Sequence, residues 1–232
     1  MQLQDRLTTE EIRAVFAEAI AAQGGTVSET FDDGHRLFLR SLLPRVREVR
    51  AKDRLQGGVA LRATEEDVWV HPYIFRQVCS NGAIMAHALE SAHVELADSS
   101  TPDEVAGAIR AAVEVCCADE AFATGTARMR SAQLADIDLA LNLVAFFSRV
   151  PEQSRAQVVQ AVLEQLFHEP HRTRYDLMNA VTAVARDTRD PALRWRLEEL
   201  GGDIGAGLDP DPTPDDASAA AEVPDAEELL LV

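Results

Sequence analysis

The sequence predicts an α+β protein in which an antiparallel sheet in the N-terminal half packs against a helical C-terminal half. Short β-branched segments separated by turn signals fill residues 26–70, and long apolar-periodic segments fill residues 101–200. The chain has 232 residues, of which 47% are hydrophobic, and this is enough for a real core. We expect one domain over residues 1–202, strand-rich to residue 100 and helical from 101, followed by an acidic tail over 203–232.

The N-terminal elements are marked by a helix cap and a turn signal. Thr8 and Glu11 have the spacing of a capping box, which starts a helix that Gly24 and Gly25 end. Asp32-Asp33-Gly34 is typical of the turn in a β-hairpin. The predicted strands cover residues 26–31, 37–43, 45–50, 59–63 and 68–70.

Helix signals dominate from Thr101 onward. Thr101, Pro102 and Glu104 combine an N-cap, a proline at the first helical position and a capping-box acid. Prolines then separate the later apolar segments, since proline interrupts a helix interior. Beyond the helix that starts here, we predict helices at residues 131–147, 151–167, 173–186 and 191–200.

The tail differs in composition from the rest of the chain. Of the 39 acidic residues, nine lie in 203–232, where there is no basic or aromatic residue. Such a segment buries too little apolar surface to offset the entropy of ordering, so we predict disorder except in its last few residues. The tip consists of Leu229, Leu230, Leu231 and Val232, which follow carboxylates and form a candidate ligand for an arginine-rimmed apolar pocket of a partner protein.

The composition also favours a cytoplasmic protein that makes no membrane contact. No apolar stretch approaches the ~20 residues of a membrane helix, and the first residues are polar and acidic. Three cysteines cannot pair completely, which suits a reducing compartment. The histidines and cysteines match no compact zinc pattern, and the common phosphate-loop, dinucleotide and metalloprotease motifs are absent, so we expect neither a metal nor a cofactor.

One stretch of the chain is basic although the net charge is −17. Guanidinium groups that project together from one sheet face can follow a phosphate backbone, whereas solvated strand faces would carry the same residues without a ligand. Phe38, Trp69, Tyr73 and Phe75 are the candidate stacking partners for bases, although core burial explains them equally well. The candidate nucleic-acid-binding residues are Arg36, Arg40, Arg45, Arg47, Arg50, Lys52 and Arg54.

Two motifs carry a resemblance to a known family. Residues 70–82 contain Arg76, Cys79, Asn81 and Gly82, and residues 176–185 contain Asn179 and Thr182. The two segments resemble signature motifs of the phage/plasmid-like domain-of-unknown-function family (number 932). The resemblance implies a mobile-element context and no particular activity.

The chemistry of the motif residues also suggests structural and catalytic roles for them. Asn179 and Thr182 lie three positions apart on a helix, so they share a face and can hydrogen-bond to the turn at residues 79–82. Cys79 suits a small buried residue at a strand end. A nucleophile activated by His71 or His87 is the alternative.

Three functions follow from these features. The first is a non-catalytic mobile-element protein that binds single-stranded nucleic acid along the arginine-bearing sheet, as a homo-oligomer that multiplies a weak site. The second is an interaction adaptor that acts through its acidic tail and apolar tip. The third is a cysteine-dependent enzyme.

Overall fold

The computed structural model describes residues 7–96, 101–137, 139–169 and 171–208, with backbone alone for 139–142. It shows seven antiparallel strands in the N-terminal half and six of its seven helices in the C-terminal half, which confirms the predicted α+β class. Of the predicted disordered tail, residues 209–232 lie outside the described ranges, whereas residues 203–206 form the end of the last helix, so the prediction of disorder from residue 203 was wrong there. The strands are β1 (Thr26–Asp32), β2 (Leu37–Leu42), β3 (Val46–Arg50), β4 (Asp53–Ala63), β5 (Asp67–Arg76), β6 (Asn81–Ile84) and β7 (Ala92–Glu95). The helices are α1 (Thr9–Ala22), α2 (Pro102–Cys116), α3 (Asp119–Ala132), α4 (Leu139–Phe147), α5 (Glu152–His168), α6 (Arg174–Asp187) and α7 (Pro191–Ala206).

The local signals at the start of the chain form as predicted. The hydroxyl of Thr8 accepts a hydrogen bond from the Glu11 amide, and the Glu11 carboxylate accepts one from the Thr8 amide at 2.8 Å. The hairpin between β1 and β2 turns at Gly34, whose φ is 86°, a value that glycine adopts without strain. Asp32 accepts from the Gly34 amide and closes the turn.

Strand β4 is the centre of the sheet because it is long enough to pair with three neighbours. The sheet order is β1-β2-β4-β5-β6, with β3 also on β4 and β7 also on β5. The C-terminal end of β4 pairs with β2, and its N-terminal end pairs with β3. Strands β6 and β7 were not predicted, since four residues are too few to show an alternating pattern.

Helices cover both faces of the sheet. On one face, α1 and α2 pack their apolar stripes against β2, β4 and β5, with Phe16 and Ile109 fully buried. A second hydrophobic core lies around Leu55 and Ile74, where α3, α5, α6 and α7 pack. On the other face, Trp195 of α7 packs against Phe38 of β2.

The helix predicted over residues 131–147 is wrong. In the structure α3 ends at Ala132 and α4 begins at Leu139. Between them a turn at residues 133–134 leads into a β-bridge, in which Asp136 pairs with Thr173 and the Arg174 amide donates to the Ala135 carbonyl. This pairing with the start of α6 has no local sequence signal.

Among the helices of the described residues, none combines the length and the hydropathy of a membrane-spanning segment.

Candidate functional site

Arg40, a predicted nucleic-acid contact, is buried inside the protein. Its side chain lies beneath α7, where its Nη2 is 2.7 Å from a carboxylate oxygen of Glu198. Glu29 of β1 lies 3.5 Å from the same guanidinium. A 4% exposed residue that is already paired with acids cannot follow a phosphate backbone, so this assignment was wrong.

Three more of the predicted contacts are each engaged by a carboxylate. Arg36 binds Asp33 at 2.8 Å within the hairpin turn. Arg45 reaches the junction of α2 and α3 and binds Asp119 at 2.9 Å. Arg50 lies beside α6, with its guanidinium 4.7 Å from the centroid of the Tyr175 ring and 3.3 Å from a carboxylate oxygen of Asp176.

The remaining three cations lie on the hairpin of β3 and β4. Arg47, Lys52 and Arg54 are exposed, and among the described residues none of their side chains pairs with a carboxylate. Arg47 packs over Phe122 of α3, whereas Arg54 projects from the opposite face of the hairpin, where it stands across from Glu48. The seven basic residues therefore do not form the single sheet surface predicted from the sequence.

The motif residue Arg76 is the centre of a network that joins the sheet to α6. Its guanidinium donates to both oxygens of Asp53, and the shortest contacts are 2.9 Å. The hydroxyl of Tyr175 donates to the same carboxylate at 2.9 Å. Burial raises the pKa of Tyr175 well above its ordinary value, with the neighbouring Asp53 carboxylate adding to the rise, so this group stays a proton donor.

The other motif residues complete this connection. The Asn81 side-chain amide donates to the Thr182 hydroxyl at 2.6 Å and to the main-chain carbonyl of Asn179 at 3.3 Å. Thr182 thus makes the expected contact with the turn, whereas the Asn179 side chain is buried and finds no hydrogen-bond partner among the described residues. Gly82 has no room for a side chain, because a Cβ there would overlap the ring of Tyr73. The two sequence motifs thus meet in space and hold β6 against α6.

Cys79 lacks the histidine partner that a nucleophile would require. Its sulfur lies 3.3 Å from Nη1 of Arg76. His87 instead contacts Asp203 at 3.1 Å, and His71 lies on β5 five positions before Arg76, which is about 17 Å along a strand. In the part of the chain that the structure describes, no group of three or more histidine, cysteine and acidic side chains is placed to hold a metal ion.

The candidate stacking residues do not offer open ring faces. Trp69 stacks on His93 with centroids 3.9 Å apart and an angle of 12°, and its neighbour His71 stacks nearly parallel at 6.0 Å. Phe38 and Tyr73 are buried, whereas Trp69 and Phe75 are half-buried, Trp69 in contact with these two imidazoles and Phe75 against the cluster around Trp195. Phe38 and Trp69 belong to one row of paired residues across the sheet, which runs Phe31, Phe38, Arg62, Trp69 and His93.

Helix α5 carries a shallow, exposed apolar surface that the sequence analysis did not identify, and the described residues that line it all belong to this one helix. We call this surface the groove on α5. Ala156, Val159, Leu163 and Phe167 form its floor, and Phe167 is 69% exposed. The sequence does contain a signal for it. Val158, Val162 and Leu166 form the buried stripe of α5, so the helix has a second apolar stripe one position away, where an ordinary surface helix has polar residues.

An arginine stands at each end of this groove. Arg155 donates to the carbonyls of Ser148 and Val150, and Arg172 lies 5.4 Å from the centroid of the Phe167 ring. The partners of Arg172 are also main-chain carbonyls. Neither guanidinium pairs with a carboxylate of the described residues, so both positive charges are uncompensated at short range.

Comparison with known proteins adds no relative from which a function can be inferred. No protein-family model matches the chain, and no curated protein or solved structure shows significant similarity to it. The resemblance to the phage/plasmid-like family and the mobile-element context therefore stay predictions.

Proposed function

We propose that this protein is an interaction module that binds an apolar, acid-flanked segment of a partner protein in the groove on α5. The observation that carries the proposal is the row Ala156, Val159, Leu163 and Phe167, which leaves an apolar stripe open to water on a helix whose other stripe is already buried. Covering such a stripe removes apolar surface from water, which stabilises a complex.

The dimensions and charges of the groove define the class of partner. The groove is shallow and lies on one helix, so it suits a segment that packs along its surface and not a small molecule that needs an enclosed cleft. A floor with helical spacing accepts the side chains of a short apolar segment, as in helix-in-groove recognition. The uncompensated charges of Arg155 and Arg172 favour carboxylates next to those side chains.

A peptide-display selection tests this proposal. Twelve-residue peptides are selected on the full chain, and the affinity of the selected peptides is measured for two variants. Phe167→Asp places a charge on the groove floor and is expected to weaken binding about tenfold or more, which corresponds to about 1.4 kcal/mol. Gln157→Asp places the same charge on an exposed position of α5 outside the groove and is the matched control. Equal binding by both variants would show that the groove is not the site.

A second candidate function is weak nucleic-acid binding at the hairpin of β3 and β4. The three unpaired cations Arg47, Lys52 and Arg54 favour it, and they can neutralise about three phosphates at most. A titration of labelled single-stranded DNA against salt measures that number from its slope. A loss of binding in Arg47→Ala with Arg54→Ala is expected if the hairpin is the site. Absence of binding at low salt would dispose of this candidate.

A further inference from the structure

The groove on α5 has charged groups of both signs around its apolar floor. Glu152 and Glu164 are exposed on its rim, and Glu164 accepts a hydrogen bond from Gln160 at 3.0 Å. The two ends of the floor differ in charge. Glu152 and Arg155 lie together at the Ala156 end, whereas Arg172 lies over Phe167 at the other end. An occupant whose carboxylates lie beyond the Phe167 end therefore meets the guanidinium of Arg172.

The chain itself contains a segment of this composition. Residues 209–232 follow Leu208, and their last part is Asp225-Ala226-Glu227-Glu228 followed by four apolar residues, Leu229 to Val232. In this segment the carboxylates come directly before the apolar run. The order of acidic and apolar residues thus matches the arrangement of an arginine at the end of the groove floor.

An arginine contact holds the point where this segment leaves the described structure. Leu208 is held by Arg174, which donates to its carbonyl at 3.1 Å. Arg174 is two residues from Arg172, whose guanidinium covers Phe167 at the end of the groove. The start of the segment is therefore linked to the Phe167 end of the groove through Arg174 and Arg172.

The length of the segment is also sufficient. A coil of 24 residues has a root-mean-square end-to-end distance of about 27 Å. The floor from Ala156 to Phe167 is about 17 Å long, and four extended residues cover about 13 Å. A ligand tethered at this range has an effective concentration of about a millimolar, so even a weak contact is largely formed.

We propose that Glu227–Val232 occupy the groove on α5 of the same molecule, and that a partner segment must displace them to bind. This inference rests on the proposed function, because it assigns an occupant to the same groove. The tip and the groove then mask each other in the free protein, and partner binding exposes the tip.

A fluorescent peptide of residues 222–232 tests the occupant on the full chain. Leu229→Asp with Leu231→Asp disables the tethered tip without changing any described residue. The peptide is expected to bind this double variant about tenfold more tightly than the unsubstituted chain, because the tethered tip no longer competes. Adding Phe167→Asp to the double variant is expected to abolish binding, whereas adding Gln157→Asp is not.

Two outcomes overturn this inference. Equal peptide affinity for the double variant and the unsubstituted chain, or no binding to either, means that the tip is not the occupant. A concentration-dependent dimer in sedimentation that disappears in the double variant means that the tip of a second copy fills the groove. If selected peptides still depend on Phe167 in these cases, the proposed function stands without the tip. If they do not, the proposed function fails as well.

Discussion

Acidification is expected to destabilise this protein through His71, because that imidazole is buried in its neutral form. His71 is 4% exposed, lies between Trp69 and Trp195 on the sheet face beneath α7, and has an Nδ1 with no hydrogen-bond partner. Burial lowers its pKa from 6.5 to about 3, and the nearby charges of Arg62 and His87 add to this.

The sign and size of the effect follow from the two pKa values. The pKa of His71 is lower in the folded protein than in the unfolded chain, so the unfolded chain takes up the proton first as the pH falls. Stability from this group is complete above pH 6.5 and is lost progressively below it. Each pH unit well below 6.5 costs about 1.4 kcal/mol, and since half of the unfolded chains already carry the proton at pH 6.5, the loss between pH 6.5 and pH 4.5 is roughly 2 kcal/mol.

Urea unfolding at these two pH values measures the loss when wild type is compared with His71→Gln. The carboxylates contribute to both proteins, so the difference between their pH dependences isolates His71. His87 acts in the opposite direction, since its hydrogen bond to Asp203 raises its pKa and its stabilisation is lost as pH rises. A variant that loses as much stability as wild type on acidification would refute the assignment of a buried neutral imidazole.

Three further predictions test the core contacts and the thiols. Glu198→Ala removes the closer and fully buried partner of Arg40 and leaves it with only the half-exposed Glu29 at 3.5 Å, so we expect a loss of about 3–5 kcal/mol in urea unfolding, and a loss below 1 kcal/mol would contradict a buried ion pair. Gly202→Ala drives a methyl group into a main-chain carbonyl of β6 and is expected to lower the melting temperature, whereas Gly107→Ala meets open space in α2 and is expected to stabilise by about 0.5–1 kcal/mol. Cys79 is expected to be alkylated before the other two cysteines in the native protein, because burial raises the pKa of Cys116 to about 12 and that of Cys117 to about 11. Mass spectrometry of partially labelled protein checks this order.

Elements with a local signal could be predicted from the sequence. The capping box at Thr8 fixes the start of α1 because the donor and acceptor are three residues apart. The β-bridge between α3 and α4 could not be predicted, since it depends on a partner at Thr173 that is 37 residues from Asp136 in the chain. The apolar stripe that ends at Phe167 is visible in the sequence, but its exposure depends on which neighbouring helices cover α5.

The sequence by itself determined the predicted helix caps and the hairpin turn, because each depends on residues a few positions apart. Only the tertiary structure decided the fate of the basic residues. Arg40 and Glu198 are 158 residues apart, and Arg50 and Asp176 are 126 apart. A charge run therefore predicts a surface only if distant carboxylates do not reach it, and that depends on how the helices pack on the sheet.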